Sequence, residues 1–171
     1  MYYLREITRN DLQFINEWRN DEELISFLGA PFRFIDMEVD NKWFDSYMSN
    51  RNNSVRCAIV ESDTNTIIGM VNLLNIDYIN RTCVIGIMIG KNEKRGRGAG
   101  EYALRKMIEH AFFNMNMNRV ELLVLSDNLR AQGLYRKIGF KKEGVKRSCV
   151  FKNGSYKDMI IMGLLNSEYE R

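Results

Sequence analysis

The feature that most constrains this chain of 171 residues is a glycine-dense turn, Arg95-Gly96-Arg97-Gly98-Ala99-Gly100. It follows the apolar run 84–89 and opens a helical pattern. Glycines at alternate positions leave room for consecutive backbone N–H groups to close around an anion at a helix N-terminus, where the helix dipole favours negative charge. Lys94, Arg95 and Arg97 add positive charge, and Arg matches phosphate geometry. The turn therefore predicts a strand–loop–helix unit that binds a phosphate or pyrophosphate group.

Two other kinds of site also use glycine-rich turns. A Walker A loop needs a Lys-Ser or Lys-Thr pair after its glycines, and the absence of such a pair excludes a P-loop. A dinucleotide fingerprint needs glycine where the chain has Glu101. Glu121 lies at a suitable distance downstream, but it begins a strand instead of ending one, which disfavours a Rossmann site. A solvated Gly-Arg loop without a ligand is the remaining alternative.

The residues after the turn make the ligand-free alternative weaker. Apolar residues at three- and four-residue spacing predict an amphipathic helix; they are Ala103, Leu104, Met107, Ile108, Ala111 and Phe112. A strand at 120–125 follows, and a second motif runs from Asn128 to Phe140.

The two motifs together resemble those of the GCN5-related N-acetyltransferase (GNAT) superfamily. The family's acetyl-CoA motif, Gln/Arg-x-x-Gly-x-Gly/Ala, is matched by Arg95, Gly98 and Gly100. Its second signature, Asn-x-x-Ala-x-x-x-Tyr-x-x-x-Gly-Phe, is matched by Asn128, Ala131, Tyr135, Gly139 and Phe140. The resemblance covers about residues 82–145, and the whole length more loosely. It implies an α/β (α+β) fold with a mixed, mostly antiparallel twisted sheet, helices on both faces, and acetyl-CoA as co-substrate.

The resemblance also implies roles for single residues. Tyr135 stands at the family's general-acid position, where it would protonate the coenzyme A thiolate. Asn128 would hydrogen-bond the cofactor arm, and the backbone of the strand before the turn would meet the pantetheine amides. The implied cofactor-binding residues are Ile87, Met88, Ile89, Lys94, Arg95, Gly96, Arg97, Gly98, Ala99, Gly100 and Asn128. Phe32, Phe34 and Trp43 fall where related transferases line the acceptor channel, and a place in the core is their alternative.

The general base is left open by the sequence. An alkyl amine has a pKa near 10.4 and must lose a proton, commonly to a glutamate early in the strand before the glycine turn. Val84 occupies that position here. Asp36, Glu38 and Asp77 are candidates that the sequence does not rank.

The acceptor class is narrowed but not fixed. The stretch 143–162 resembles a subgroup of spermidine, ribosomal-protein and amino-sugar acetyltransferases. Spermidine enzymes typically carry acids before a Pro-aromatic pair, whereas this chain has Gly29-Ala30 before Pro31-Phe32. We expect a small-molecule primary amine, a polyamine or an amino sugar, as acceptor. A protein N-terminal amine is the alternative, and a non-catalytic acetyl-CoA-binding protein is a third.

Composition agrees with one compact enzyme domain over residues 1–171. The chain is 45% hydrophobic and 27% charged, with one proline, which argues against disorder and low complexity. The net charge of +3 divides into −5 for residues 1–50 and +8 for 51–171, which suits a cationic acceptor and an anionic cofactor. We expect no nucleic-acid or membrane partner; a homodimer is left open.

Further patterns concern compartment and metal. No apolar signal core or membrane-length run is visible. Cys57, Cys83 and Cys149 are widely spaced and predict reduced thiols in a cytoplasmic protein. His110 is the single histidine, so we expect no zinc or other metal site.

Local signals predict the remaining elements. Strands are expected at 2–7, 55–61, 67–75 and 81–89, the last three as an antiparallel meander, and Asn153-Gly154 predicts a hairpin between 148–152 and 155–164. Asn10 with Gln13 resembles a cap for a helix that buries Leu12, Ile15 and Trp18. Asp21 would begin a short helix ending at Gly29, and Asp36 would cap a third. The third helix has an apolar face of Val39, Trp43, Phe44, Tyr47 and Met48.

Overall fold

A computed structural model describes residues 1–90 and 96–170, so that the predictions for Lys94 and Arg95 lie outside the described residues. The strands are β1 (Tyr2–Glu6), β2 (Val55–Glu61), β3 (Thr66–Asp77), β4 (Thr82–Ile89), β5 (Arg119–Leu125), β6 (Lys141–Lys152) and β7 (Ser155–Leu165). The helices are α1 (Leu12–Arg19), α2 (Glu22–Ser26), α3 (Met37–Ser49), α4 (Ala99–Glu109) and α5 (Leu129–Ile138). A π-helical turn at His110–Asn114 extends α4.

The strands form one mixed sheet in the order β1-β2-β3-β4-β5-β7-β6. Its neighbouring strands are antiparallel except for β4 and β5, which are parallel. The strand–turn–helix–strand connection through α4 explains this exception, because a parallel pair needs a crossover. The predicted mixed, mostly antiparallel sheet and the meander of β2, β3 and β4 are confirmed.

A tight turn at Asn153-Gly154 joins β6 and β7. Both residues have positive φ, at 50° and 77°, as a two-residue hairpin turn of the primed type requires. Lys152 and Ser155 pair directly across it. The predicted hairpin is confirmed, although β6 begins seven residues earlier than the predicted strand.

Helices cover both faces of the sheet and enclose two buried clusters. The first cluster lies under α4 and α5; its members include Cys83, Ile85, Leu104, Met107, Ile108, Val120, Leu122 and Val124. The second lies under α1, α2 and α3; its members include Leu12, Ile15, Trp18, Leu24, Phe44, Tyr47, Ala58 and Met70. The predicted arrangement of helices on both faces is confirmed. No helix in the described part of the chain is long and apolar enough to cross a membrane.

The start of α1 differs from the prediction. Thr8, not Asn10, is the capping residue of a short 3₁₀ turn at Arg9–Asp11, and Asp11 accepts a hydrogen bond from the Thr8 backbone N–H at 2.7 Å. Gln13 instead donates to the Asn10 carbonyl. Asp11 Oδ2 also accepts from the Thr8 hydroxyl at 3.0 Å, and Asp11 N–H donates to the Thr8 carbonyl at 3.0 Å. Asn10 and Gln13 make no such pair of contacts with each other's capping groups in the described residues.

The buried face of α3 also differs. Asp36 caps the helix as predicted, accepting from Val39 N–H at 3.0 Å. Val39 and Met48 are half exposed, whereas Asp40 is completely buried together with Phe44 and Tyr47. An ion pair with Arg19 and a hydrogen bond from Asn16 neutralise the Asp40 carboxylate. A charge is buried here because its partners lie on α1, beyond the reach of a local pattern.

Candidate active site

The candidate site begins where β4 and β5 separate. The two strands pair only at Thr82–Val84 and Arg119–Glu121. Beyond these pairs β4 continues to Ile89 and β5 to Leu125 with no further pairing between them in the described residues. We call this gap, bounded by residues 85–89 and 122–125, the fork. A fork leaves one edge of β4 available to an extended ligand that adds to the sheet as a strand would.

The predicted pantetheine-binding residues Ile87, Met88 and Ile89 lie along the fork. On their other edge they pair with Val71, Met70 and Gly69 of β3. The structure therefore brings these three residues to the strand edge that faces the gap. Their contact with the cofactor stays a prediction.

The described part of the glycine turn has the backbone shape of an anion site. Gly96 and Gly98 have φ of 81° and 87°, in the left-handed region that favours glycine. Gly98 directly precedes α4, whose first N–H groups have no partner within a helix. A Cβ built at Gly98 would meet nothing within 4 Å. The turn thus presents an open, electropositive helix start, as the fit of a pyrophosphate group requires.

Neighbouring elements hold this turn in place. Tyr2 on β1 donates to the Arg97 carbonyl at 3.2 Å. Gly100, in the first turn of α4, lies close to both α5 and β4. A Cβ built there would lie 3.7 Å from Leu134 and 3.8 Å from Ile87. Ala99 is buried. The turn is therefore fixed to β1, to the fork and to α5.

Arg130 is a candidate cofactor residue that the sequence interpretation missed. A Cβ built at Gly96 would lie 2.8 Å from Arg130 Nη2, so the guanidinium of Arg130 lies against the glycine turn. Its side chain is exposed, as is that of Arg97. The signal was its place in the first turn of α5, next to Asn128, which the motif treats as an unspecified position. Arg130 adds a second described cation beside a predicted pyrophosphate site.

Tyr135 lies on α5 with its ring against the first buried cluster. The ring packs edge-on against Phe140, with centroids 5.9 Å apart. Burial raises the pKa of Tyr135 to about 12, so the phenol holds its proton throughout the neutral range. Desolvation is the cause of this shift, and no hydrogen bond to a described residue contributes to it. A protonated phenol is the form that a general acid needs.

Asn128 performs two structural tasks. Its Oδ1 accepts from Ala131 N–H at 3.1 Å and caps α5. Its Nδ2 donates to the Phe27 carbonyl at 3.1 Å, which joins α5 to the segment after α2. The predicted bond to the cofactor arm would use the second hydrogen of Nδ2, and it stays a prediction.

Residues 25–36, which we call the acceptor segment, carry Phe32 and Phe34. The two rings meet edge-on at 5.2 Å, and Phe34 is 92% exposed. Trp43 does not join them in the described residues; its ring lies 5.0 Å from the Arg56 guanidinium and packs on the second buried cluster. Of the three predicted acceptor residues, Phe32 and Phe34 are in ring contact with each other, and the ring of Trp43 contacts Arg56. Their contact with an acceptor stays a prediction.

Buried Lys152 anchors the acceptor segment. Its side chain is 7% exposed, and its ammonium donates to the carbonyls of Ile25, at 2.8 Å, and Ala30. No carboxylate within residues 1–90 and 96–170 pairs with it, and burial lowers its pKa. At the other end of the segment, Asn20 exchanges two hydrogen bonds with the Ile35 backbone, at 2.7 and 2.9 Å.

Lys152→Met is expected to raise the KM for the amine about tenfold and to leave the KM for acetyl-CoA unchanged. Hydrogen bonds from a charged donor contribute about 1.5 kcal/mol or more each, so their loss releases the acceptor segment without touching the glycine turn. Steady-state kinetics with each substrate varied in turn measure both constants. Lys146→Met, an exposed lysine on the same strand, is the control. An equal rise in both constants would contradict the assigned role.

Each of the three acids left unranked as bases has a partner among the described residues. Asp77 lies at the hairpin that precedes Thr82, the end of β4 opposite Ile89, and hydrogen-bonds Ile79 and Asn80 there. Asp36 is occupied as the α3 cap. Glu38 is exposed and pairs with Lys42 at 2.7 Å. A role of any of the three as general base stays a prediction.

The buried cysteine thiols are poor nucleophiles. The three cysteines are free, as predicted. Burial raises the pKa of Cys57 to about 11 and that of Cys83 to about 12, so both thiols are protonated at neutral pH and are weak nucleophiles. No group of three or more potential metal ligands occurs in the part of the chain that the structure describes.

Comparisons with known proteins agree with this geometry. The family model described as acetyltransferase (GNAT) domain matches residues 2–141. A spermidine N(1)-acetyltransferase of Vibrio cholerae is 31% identical over 169 residues, which are 97% of this chain and 94% of that protein. A putative ribosomal N-acetyltransferase of Bacillus subtilis, YdaF, is 36% identical over 102 residues, 60% of this chain and 55% of that protein.

A solved structure matches nearly the whole chain. It is the spermidine N-acetyltransferase from Vibrio cholerae in complex with CoA and spermine, with a TM-score of 0.92 and 27% identity over 98% of this chain and 97% of that one. The fold, the family model and the full-length relatives agree. The chain therefore belongs to the GNAT acetyltransferase family and is an acetyl-CoA-dependent N-acetyltransferase, with acetyl-CoA as its co-substrate.

Proposed function

We propose that this enzyme transfers the acetyl group of acetyl-CoA to a primary amine of a polyamine. The chain is similar over almost all of its length to spermidine N-acetyltransferases. The single observation of this chain that carries the proposal is the acidic surface around the acceptor segment. Residues 17–45 contain eight acids and three bases. Such a surface raises the local concentration of a polycation.

Three of these acids stand out because they are exposed and unpaired. Glu17, Glu22 and Glu23 have no ion-pair partner among the described residues. Asp40, in contrast, is neutralised by Arg19, and Asp45 pairs with Arg9. The unpaired carboxylates are positioned at α1 and α2, beside the segment that carries Phe32 and Phe34.

The proposed reaction is direct transfer in a ternary complex. The glycine turn with Arg97 and Arg130 would hold the pyrophosphate, and the edge of β4 would align the pantetheine. The amine nitrogen attacks the thioester carbon, coenzyme A leaves as a thiolate, and Tyr135 would supply the proton that the thiolate takes. We propose that all these parts belong to one domain over residues 1–171.

A panel of acceptors tests the proposal. Purified enzyme with acetyl-CoA is given spermidine, spermine, glucosamine or a short peptide with a free N-terminus, and thiol release is followed. We expect kcat/KM for spermidine to exceed that for glucosamine and the peptide at least about tenfold. We also expect it to fall with ionic strength, because salt screens the attraction of a polycation to exposed carboxylates.

Protein N-terminal acetylation is the second candidate. The local identity of 36% to a putative ribosomal N-acetyltransferase favours it, as does the absence of acids at Gly29-Ala30, next to the Lys152 ammonium. A preference for the peptide in the same panel would support this candidate and overturn the polyamine proposal. If none of these acceptors gives thiol release, the acceptor belongs to a class outside the panel or the protein binds acetyl-CoA without catalysis. Cytoplasmic location stays a prediction.

A further inference from the structure

We call the face of the sheet that is turned toward α1–α3 the acceptor side, and Val84, Gly86 and their strand neighbours lie on it where β4 and β5 begin to separate. Cys83 and Ile85 belong to the first buried cluster, so Val84 and Gly86, which alternate with them along β4, face the opposite side. Gly86 pairs with Asn72 of β3. Val84 pairs with Glu121 of β5. Asn72 and Glu121 therefore flank β4 on its acceptor side.

On the acceptor side, the open space above Gly86 lies beside a hydrogen-bond acceptor of β3 that has no partner in the described residues. A Cβ built at Gly86 would meet nothing within 4 Å. Asn72 Oδ1 is buried and has no hydrogen-bond partner in the described residues. A buried amide oxygen without a partner costs free energy, and a donor placed over Gly86 would satisfy it.

A carboxylate with one engaged and one unengaged oxygen lies on the β5 side. Arg119 donates to Glu121 from Nε and Nη2 at 3.3 and 3.2 Å, and both bonds end on Oε2. Arg119 binds Glu143 more closely, with Nη1 at 2.7 Å from Oε1. No described residue bonds Glu121 Oε1. Val120 and Leu122 lie in the first buried cluster, which directs Glu121 to the acceptor side.

The span between the two side chains fits an amine. Strands lie about 4.8 Å apart and rise about 3.3 Å per residue, so Asn72 and Glu121, two strands and two residues apart, have Cα atoms separated by roughly 12 Å. Both side chains project from the same face of the sheet, and Gly86 lies between the two strands that carry them. An amine over Gly86 is therefore directly beside Asn72 and within reach of Glu121 through one water.

We propose that the acceptor amine docks over Gly86, donates a hydrogen bond to Asn72 Oδ1, and gives up its proton to Glu121. Glu121 lies on the neighbouring strand and on the same face as Val84. It thus serves as the general base that a valine at position 84 cannot be. The inference rests on the proposed acetyl transfer to an amine, and it does not depend on which amine is preferred. The point of attack lies at the base of the fork, where the two strands begin to separate.

The proton and the electron pairs balance in one sequence of steps. The acceptor arrives as an ammonium ion, and its first proton passes to Glu121 and from there to solvent. The lone pair of the neutral amine then forms the N–C bond, and the carbonyl π pair moves to oxygen. The nitrogen becomes positive and its proton passes to Glu121 Oε1, directly or through one water. The oxygen pair returns, the C–S bond breaks with its pair on sulfur, and the thiolate takes a proton from Tyr135. Glu121 and Tyr135 then exchange protons with solvent to restore the starting state.

Glu121→Gln tests the proton transfer. We expect kcat at pH 7 to fall about 10²-fold, the lower range for loss of a general base. The deficit should narrow toward pH 10, because hydroxide can then take the proton. Glu143→Gln removes an equal charge from the same arginine and should keep kcat within about threefold. Val84→Glu added to Glu121→Gln returns a carboxylate to the same face and should recover at least tenfold of the loss.

Asn72 is tested through the acceptor KM. Asn72→Leu should raise it about tenfold with the KM for acetyl-CoA unchanged, and Asn72→Asp, which keeps an acceptor oxygen, should restore it. Thermal stabilisation by acetyl-CoA in every variant shows that the fold and cofactor binding persist. Each variant is assayed with whichever amine the wild-type enzyme uses best, so a wrong polyamine assignment leaves this test intact. A Glu121→Gln enzyme with kcat within threefold of wild type, or a deficit that is constant with pH, overturns the inference.

Discussion

Gly98→Asp is expected to abolish the thermal stabilisation of the enzyme by acetyl-CoA. A ligand at 100 times its Kd stabilises the native state by about 2.7 kcal/mol, which raises the Tm of a chain of this size by about 5 to 10 °C. In the variant a carboxylate would occupy the open space before α4, where a Cβ meets nothing within 4 Å. It would repel the pyrophosphate and take the N–H groups that bind it. Thermal melts with and without acetyl-CoA measure the effect.

Gly98→Asn separates charge from backbone strain. Asn has the shape of Asp without its charge and tolerates the left-handed conformation that Gly98 adopts, with φ of 87°. We expect the Asn variant to keep a reduced shift in Tm and the Asp variant to keep none. A full shift in the Asp variant would remove the glycine turn from the cofactor site.

The fold was accessible to sequence reasoning wherever a short pattern decides the structure. The glycine turn after an apolar strand, the Asn153-Gly154 hairpin and the Asp36 cap depend on residues within a few positions of each other, and the structure contains all three. Each of these signals fixes a local backbone conformation, so neighbours in sequence are sufficient to read it.

The missed features depend on partners far apart in the chain. Asp40 is buried because Arg19 lies against it, and Lys152 is buried because the carbonyls of Ile25 and Ala30 accept its protons. A local pattern places such charges at the surface, because their desolvation is costly without a partner. Only the tertiary structure supplies the partner.

Glu121 lies between these two cases. The alternation of Val120, Glu121 and Leu122 indicates a strand with one polar position on its non-core face. Its relevance to the site comes from the pairing with Val84, and the register of a parallel pair cannot be read from the two strands alone. The sequence thus shows a valine at position 84, where the family commonly has a glutamate, and the sheet register places Glu121 directly beside it.

In the proposed mechanism, cofactor binding and chemistry are supplied by different elements. The glycine turn and Arg130 lie at the open end of the fork, whereas Val84 and Glu121 lie at its base. Tyr135 stands on α5, which touches the turn through Leu134 and the acceptor segment through Asn128. Substitutions at the turn should therefore change cofactor affinity, and a substitution that removes only the Tyr135 hydroxyl should change turnover.

Tyr135→Phe is expected to lower kcat by about 10²-fold or more, the range for loss of a positioned general acid, while the Kd for acetyl-CoA changes little. Phenylalanine keeps the edge-on contact with Phe140 and the packing on the first buried cluster, so only the proton donor is lost. Because burial raises the pKa of Tyr135 to about 12, the wild-type enzyme should show no loss of kcat from phenol ionisation between pH 7 and 10. Steady-state kinetics across this range and a direct measurement of acetyl-CoA binding give both quantities.

Tyr78→Phe, at an exposed turn beyond the far end of β4, is the control and should keep wild-type kcat. A Tyr135→Phe enzyme that retains most of its turnover would assign protonation of the thiolate to water or another residue, and one that fails to bind acetyl-CoA would make the tyrosine a structural residue.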